Sequence, residues 1–150
     1  MTIIAIGFFA LRPGFAGVLR GARQRSAVRR LVGLLTGART EAVARGRLVR
    51  VRCDSVQGLF WAEVQTDPAI DRSEFELLPV LGRPSVRLPD DLVLSELAVA
   101  GQSTSAMSET AIYFYPDGRT DGALLVVTNA LGRESWVEIA PATGKVSVSA

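Results

Sequence analysis

The apolar residues of this chain change their spacing at Gly46, and that change constrains the fold more than any other feature. Before Gly46 they recur every three or four residues, which is typical of one face of an α-helix. This helix-packing stripe consists of Val28, Leu31, Val32, Leu35, Ala38 and Ala42. After Gly46 the spacing becomes two, which is typical of β-strands. The pattern predicts an α+β protein, with an N-terminal helix over residues 1–46 and an antiparallel β-sheet or β-sandwich over 47–150.

Eight short segments after Gly46 have strand-like patterns, and turn dipeptides separate many of them. The segments are 47–53, 59–64, 85–88, 92–99, 111–115, 123–128, 135–139 and 145–148. Glycine-containing pairs such as Asp117-Gly118 and Thr143-Gly144 lie between them, and many short strands with such turns indicate antiparallel pairing. Residues 101–109 are small and polar and are predicted to form a flexible loop.

Charge is distributed unevenly along the chain. Residues 12–52 contain 11 arginines and one acid, Glu41, whereas 14 of the 15 acids follow Cys53. Such asymmetry suggests a surface-binding or tethering segment joined to a globular body. The arginines fit a solvated helix face, contacts with lipid headgroups, or contacts with nucleic-acid phosphates. We favour the solvated face, because Lys145 is the only lysine and arginine therefore serves as the general basic residue.

The residue types that most often carry catalysis are scarce. Histidine is absent, which removes the commonest general base and metal ligand. Cys53 is the only cysteine, and its place at the end of an alternating segment predicts a small buried side chain. Trp61 and Trp136 fall in predicted strands, where packing is expected rather than ligand stacking. We therefore predict no catalytic, cofactor-binding or metal-binding residues and expect that the chain is not an enzyme.

Acidic residues occur close together at three places. Asp117 and Asp121 are four residues apart in a glycine loop, but Arg119 between them would repel a cation. That arrangement favours a hairpin turn over a calcium site. The other two groups have no supporting polar cluster, so we interpret them as loop acids rather than paired catalytic carboxylates. They are Asp71, Glu74 and Glu76, and the pair Asp90 and Asp91.

The N-terminal residues 3–11 form a run of uncharged, almost wholly apolar residues that ends at Arg12-Pro13. The run is shorter than the roughly 20 residues that a bilayer-spanning helix needs. Met1-Thr2 also lacks the positive charge of a signal peptide. Two interpretations remain: a short buried strand or helix end, or the distal part of a longer membrane helix.

Three motifs follow one another along the chain in a familiar order. They are LVGLLTGARTEAVARGRLVRVRCD (31–54), IYFYPDGRTDGALLVV (112–127) and LGRESWVEIAPATGKVSVS (131–149). Their order and spacing resemble type II secretion minor pseudopilins of the H type (general secretion pathway protein H) and the related FimT-type minor pilins. Asp121 departs from the pattern, since the family has a glycine there. The matching positions are Arg39, Glu41, Gly46, Phe114, Pro116, Asp117, Gly118, Gly122, Gly132, Arg133, Thr143 and Gly144.

The resemblance implies a pilin-like fold and a structural role. Residues 1–19 would be part of a membrane segment, 20–46 an amphipathic helix, and 47–150 a periplasmic β domain, so the chain would cross the inner membrane once. The implied function is that of a minor pseudopilin at the tip of the type II secretion pseudopilus, in protein export across the outer membrane. The alternative is a FimT-type minor pilin that binds DNA for uptake. The C-terminal strand has Lys145 and no arginine, so nucleic acid is the less favoured partner.

The same resemblance implies partners and processing. The partners would be other minor and major pseudopilins and inner-membrane lipid, with a secreted substrate or the outer-membrane secretin as further candidates. No cofactor is implied. Family precursors are cleaved and methylated at a prepilin site near the start of the membrane helix. We find no such site in the sequence, and in this register it is expected upstream of Met1.

Overall fold

The computed structural model describes residues 2–100 and 110–149, and the predicted flexible loop at 101–109 lies outside them. The described chain forms one helix, α1 (Thr2–Arg45), followed by strands only. At about 1.5 Å per residue the helix is about 66 Å long. The strands are β1 (Val49–Asp54), β2 (Leu59–Asp67), β3 (Asp71–Leu78), β4 (Val86–Arg87), β5 (Leu92–Val99), β6 (Thr110–Phe114), β7 (Ala123–Asn129), β8 (Glu134–Ile139) and β9 (Val146–Ser149). This order confirms the predicted α+β class.

The helix ends at a glycine in the left-handed conformation. Gly46 has φ +61°, its N–H donates to the carbonyl of Val43 (3.4 Å), and the N–H of Arg47 donates to that of Ala42 (3.2 Å). These two bonds form a Schellman motif, which satisfies carbonyl groups that the last turn leaves unpaired. Within the described residues, no helical stretch combines the length and the apolar character that crossing a bilayer requires.

The strands form two antiparallel sheets. The first has the order β3-β2-β1-β6, with β4 also paired to β2, and the second has the order β5-β7-β8-β9. Strands β6 and β7 therefore lie in different sheets and do not pair with each other. The predicted hairpin turn is present, since Phe114 and Thr120 form an antiparallel bridge and the N–H of Tyr115 donates to the carbonyl of Arg119 (2.9 Å). Val49 of β1 is the partner of Phe114 in β6, whereas β7 pairs with β5 and β8. Residues 115–122 carry the chain from one sheet to the other.

Strand β3 corrects one expectation. Asp71, Glu74 and Glu76 are not loop acids, because they lie in this strand at the edge of the first sheet. All three are exposed, and only Leu78 of the strand is buried. Charged side chains are common on edge strands, where they discourage pairing with other chains. Asp90 and Asp91 do lie in a turn, immediately before β5.

The helix and both sheets share one hydrophobic core. Leu31 and Leu35 from α1 are fully buried, as are Phe60 and Phe114 from the first sheet and Val137 from the second. Burying an aliphatic or aromatic side chain of this size stabilises the fold by about 1.5–3 kcal/mol. The C-terminal half of α1 is therefore an integral layer of the β domain.

Candidate functional site

The face of α1 that meets the β domain is the surface that the sequence singled out first. Val28, Leu31, Leu35, Ala38 and Ala42 are buried in the core, and Val32 is half-buried against it. The buried face is wider than the six-residue stripe, since it also includes Ala27 and Leu34. Each lies one position before a stripe residue, as a stripe about 100° wide requires.

A buried polar contact holds the N-terminal end of this face. Gln24 is only 6% exposed, and its side-chain amide donates to Ser135 Oγ (3.1 Å) and to the carbonyl of Arg133 (3.2 Å). Its Oε1 accepts from Asn129 Nδ2 (2.9 Å). The amide therefore has partners on both of its polar atoms, as burial of a polar side chain demands. These contacts tie the helix to the turn between β7 and β8.

The β7–β8 turn is itself organised around Asn129. Its Oδ1 accepts from the backbone N–H groups of Leu131 and Arg133, both at 2.9 Å. The motif residue Gly132 has φ +79°, a backbone conformation that glycine adopts without strain. Neither Gln24 nor Asn129 belongs to the packing stripe or to one of the three motifs. The spacing could have indicated Gln24, because this polar residue lies four residues before Val28 and is therefore in phase with the stripe.

Motif residues from three separate stretches of the sequence meet near the C-terminal end of the helix. Arg39 Nε donates to the carbonyl of Gly118 (3.1 Å). A β-carbon on Gly144 would lie 2.5 Å from that carbonyl oxygen and 2.8 Å from Arg39 Cδ and Nε. A β-carbon on Gly118 would lie 2.8 Å from Arg39 Nη2. We call this group the arginine clamp (Arg39, Gly118 and Gly144). It explains why both loops carry glycine where they approach the helix.

The loop at 115–122 satisfies its own acids. Asp117 accepts from the N–H of Arg119 (3.0 Å) and from its Nε (2.7 Å), and the backbone bond comes first among the causes that lower the pKa of Asp117. Asp121 accepts from the hydroxyl of Tyr115 (3.1 Å), and burial, followed by this bond, raises the pKa of Tyr115. The two carboxylates thus have separate partners, and Pro116 is exposed beside them.

The remaining motif residues occupy the ends of elements. Glu41 forms an exposed ion pair with Arg45 (2.7 Å) one turn later, an arrangement that adds little stability. Gly122 is buried, and a β-carbon there would contact Pro141 at 3.4 Å. Thr143 accepts from the N–H of Lys145 (3.3 Å), which shapes the turn before β9.

The outer face of the first sheet carries a charged and aromatic cluster that the sequence pattern did not predict. Glu63 of β2 lies 3.1 Å from Arg50 Nε and 3.6 Å from Arg52 Nη1. The guanidinium of Arg50 is 3.8 Å from the centre of the Phe75 ring, and that of Arg52 is 5.6 Å from Trp61. Burial disfavours the charge of Arg50, but hydrogen bonds with Glu63 and another side chain leave its pKa raised. These residues come together through the pairing of β1, β2 and β3, so no short sequence motif contains them.

The residues considered for chemistry are placed apart. Cys53 is buried, and burial raises the pKa of its thiol to about 12, so the nucleophilic thiolate is suppressed. Trp136 is 40% exposed on β8 and donates to Glu134 (3.0 Å). Among residues 2–100 and 110–149, no group of three or more acidic, cysteine or histidine side chains could hold a metal ion.

Comparison with known families bears on the whole arrangement. The family model for GspH, the type II transport protein GspH, matches residues 27–144. The chain belongs to the GspH family. The match begins in the buried helix face at Ala27, three residues after Gln24, and ends at Gly144 in the arginine clamp. A search of curated proteins returned no significant match.

Solved structures of secretion and pilus proteins share the fold of this GspH-family chain. The minor pseudopilin EpsH from the type 2 secretion system of Vibrio cholerae aligns with a TM-score of 0.60 at 13% identity, over 87% of this chain and 95% of that one. The type IV minor pilin FimU of Pseudomonas aeruginosa aligns with 0.61 at 16% identity, over 87% and 90%. E. coli GspH aligns with 0.58 at 16% identity, over 85% and 88%. At these identities the likeness establishes the pilin-like fold alone.

Proposed function

We propose that this chain is a structural minor pseudopilin of the type II secretion pseudopilus tip, with a role in protein export across the outer membrane. The observation that carries the proposal is the GspH family match over residues 27–144. The likeness to EpsH and GspH structures supports it at the level of the fold. In this role the chain acts by docking to other subunits and performs no chemistry.

The docked helix gives this role a physical basis. Residues from Gln24 to Ala42 are bound to the β domain by the buried stripe, the Gln24 hydrogen bonds and the arginine clamp. A helical segment that is held at both of its ends and along its length keeps a fixed direction relative to the sheets. Such rigidity suits a subunit whose N-terminal segment and β domain must occupy set positions in an assembly.

The proposed location is the inner membrane, with the β domain in the periplasm. The first part of α1, which includes the apolar run at residues 3–11, would contribute to the anchor. Partners in this setting are other minor and major pseudopilins and membrane lipid, with a secreted substrate or the secretin as further candidates. Methylation at a prepilin site belongs to the same proposal.

A second candidate function is that of a DNA-binding minor pilin in a type IV pilus. The likeness to FimU and the basic helix favour it. Protein binding to DNA through phosphate contacts weakens steeply as salt rises. A gel-shift assay at low and high salt tests this candidate, which predicts a salt-sensitive shift. Absence of a shift at low salt removes it.

Co-purification from membranes tests the first candidate. The full chain, tagged at its C-terminus, is expressed in its host and purified from detergent-solubilised membranes, with the tag alone as control. We expect other pseudopilins to co-purify and to be identified by mass spectrometry. Recovery of the chain without any pseudopilin, or with type IV pilus proteins instead, would contradict the assignment to secretion.

A further inference from the structure

A groove runs beside α1 where the helix meets the loop between β3 and β4. Its volume is about 410 Å³. The floor is apolar and consists of the buried side chains of Leu34, Val80 and Val86. The walls carry Arg29 and Arg30 from the helix. We call it the helix groove, and Arg83 completes its basic rim from the loop.

A second cavity of about 510 Å³ extends the basic surface. Arg30 lines both cavities, and Arg23 and Arg87 join it in the second. Asp90 and Asp91 also line this second cavity. The arginines that line the two cavities form no ion pair with a carboxylate in the described part of the chain. They are Arg23, Arg29, Arg30, Arg83 and Arg87. Arg30 donates a hydrogen bond to Ser26 Oγ (3.4 Å). Among the described residues, the arginines that line the helix groove (Arg29, Arg30 and Arg83) thus have no carboxylate within ion-pair distance.

An exposed leucine stands at the mouth of the helix groove in an unusual backbone conformation. Leu81 has φ +53° and is 78% exposed, and Gly82 after it has φ +73°. Val80 and Arg83 exchange both backbone hydrogen bonds at 3.0 Å, which closes a two-residue turn. A bulky side chain is rare at positive φ, and strained positions of this kind cluster at functional sites. The turn holds an apolar side chain in the open, beside a basic groove.

We propose that the helix groove binds a carboxylate-bearing, partly apolar segment of a neighbouring pseudopilin. Apolar side chains of that segment would pack on Leu81 and on the apolar floor. Its carboxylates would face Arg29, Arg30 and Arg83, since arginine pairs well with carboxylates at interfaces. The inference rests on the proposed function, which supplies the neighbouring subunit.

Distance along the helix argues against lipid as the occupant. The predicted membrane segment ends at Leu19, and Arg30 lies about 16 Å further along the helix axis. The headgroup layer on one side of a bilayer is only about 5–8 Å thick. The helix groove therefore lies beyond the reach of headgroups. The exposed leucine also argues against a phosphate backbone, which would leave an apolar side chain without a partner.

Site-specific crosslinking in the host cell tests the proposal with the full chain. A photoreactive amino acid replaces Leu81, and the matched control places it at Val56, which is 86% exposed in the turn between β1 and β2. We expect one main adduct from position 81, to another pseudopilin, with Asp or Glu close to the attached residue in the crosslinked peptide. Position 56 is expected to give no such adduct.

Charge reversal separates groove binding from general assembly. Arg30→Glu with Arg83→Glu should lower the adduct yield by about tenfold or more, because like charges then face each other. The control pair, Arg72→Glu with Lys145→Glu, changes exposed charges outside the groove and should leave the yield unchanged. Both pairs change exposed side chains only, and circular dichroism checks that each folds.

Several outcomes would overturn the inference. They are an adduct to lipid, to nucleic acid or to a second copy of this chain, an uncharged crosslinked peptide, or equal yields from both charge-reversed pairs. If pseudopilins co-purify with the chain but no adduct forms at position 81, the groove proposal fails while the proposed function stands. If no pseudopilin co-purifies, the proposed function itself fails.

Discussion

The side chain of Val80 occupies the space that a β-carbon on Gly37 would need. The β3–β4 loop thus rests directly on the backbone of α1 at that glycine. One turn earlier, a β-carbon on Gly33 would meet Leu81 Cδ1 at an ordinary contact distance of 3.5 Å. The two glycines have the same helical environment in sequence but different neighbours in space.

We expect alanine at these two positions to have opposite effects on stability. Alanine favours a helix over glycine by up to about 1 kcal/mol, so Gly33→Ala should raise the free energy of unfolding. Gly37→Ala should lower it, because displacing the stiff Val80 side chain costs about 1–3 kcal/mol. Urea denaturation of both variants measures the difference. Equal stabilisation by both would show that the loop does not pack on Gly37.

The arginine clamp predicts a strong penalty at Gly144. Gly144→Ala places a methyl group against Arg39 and the carbonyl of Gly118, in a backbone with φ +67°. The control is Gly132→Ala, at φ +79° with no atom within 4 Å, which has only the conformational cost of about 1–2 kcal/mol. We expect Gly144→Ala to lose at least about 1 kcal/mol more than this control in thermal unfolding. Equal losses would mean that the clamp is loose.

Removal of the buried Gln24 amide should weaken the attachment of the helix to the β domain at the N-terminal end of the buried face. Gln24→Ala deletes the hydrogen bonds to Ser135 and Asn129 and should lower the free energy of unfolding by about 2 kcal/mol, because buried polar groups lose partners. Gln57→Ala, at an exposed turn, is the matched control and should change stability by less than about 0.5 kcal/mol. Chemical denaturation of both variants distinguishes them, and similar values would refute a structural role for the Gln24 contacts.

The buried thiol of Cys53 should lower the stability of the fold at alkaline pH. Burial, helped by the nearby Asp54, raises the pKa of its thiol from 9.0 to about 12, so the folded chain keeps a proton that the unfolded chain loses above pH 9. The free energy of unfolding should therefore fall between pH 9 and 12, by up to about 1.4 kcal/mol per pH unit from this group. Cys53→Ala should show a shallower slope over the same range. Identical slopes would show that the thiol does not contribute.

The sequence predicted most of the fold because two periodicities are local properties. Residues such as Leu31 and Val51 lie where the helical and alternating patterns place them, and both are fully buried. Strand β3 escaped notice because its acids break the apolar alternation, and edge strands tolerate such charge. The pairing of β6 with β1 was also not predicted, because four strands separate them along the chain and no local turn joins them.

The candidate site was only partly predictable for a related reason. Arg39, Gly118 and Gly144 were identified separately, through the resemblance, and nothing in the local sequence showed that they meet. The Gln24 contacts and the Arg50–Glu63 pair join residues that are distant in sequence. Contacts of this kind depend on how the elements pack, which a pattern of periods does not specify.

Secretion by whole cells tests the central claim most directly. The gene is deleted in its host, and the share of exoprotein activity that reaches the culture medium is measured with and without a plasmid carrying the intact gene. We predict that deletion leaves exoproteins in the periplasm and that the plasmid restores their release. Unchanged secretion after deletion, with DNA uptake lost instead, would contradict the assignment to the type II secretion pseudopilus.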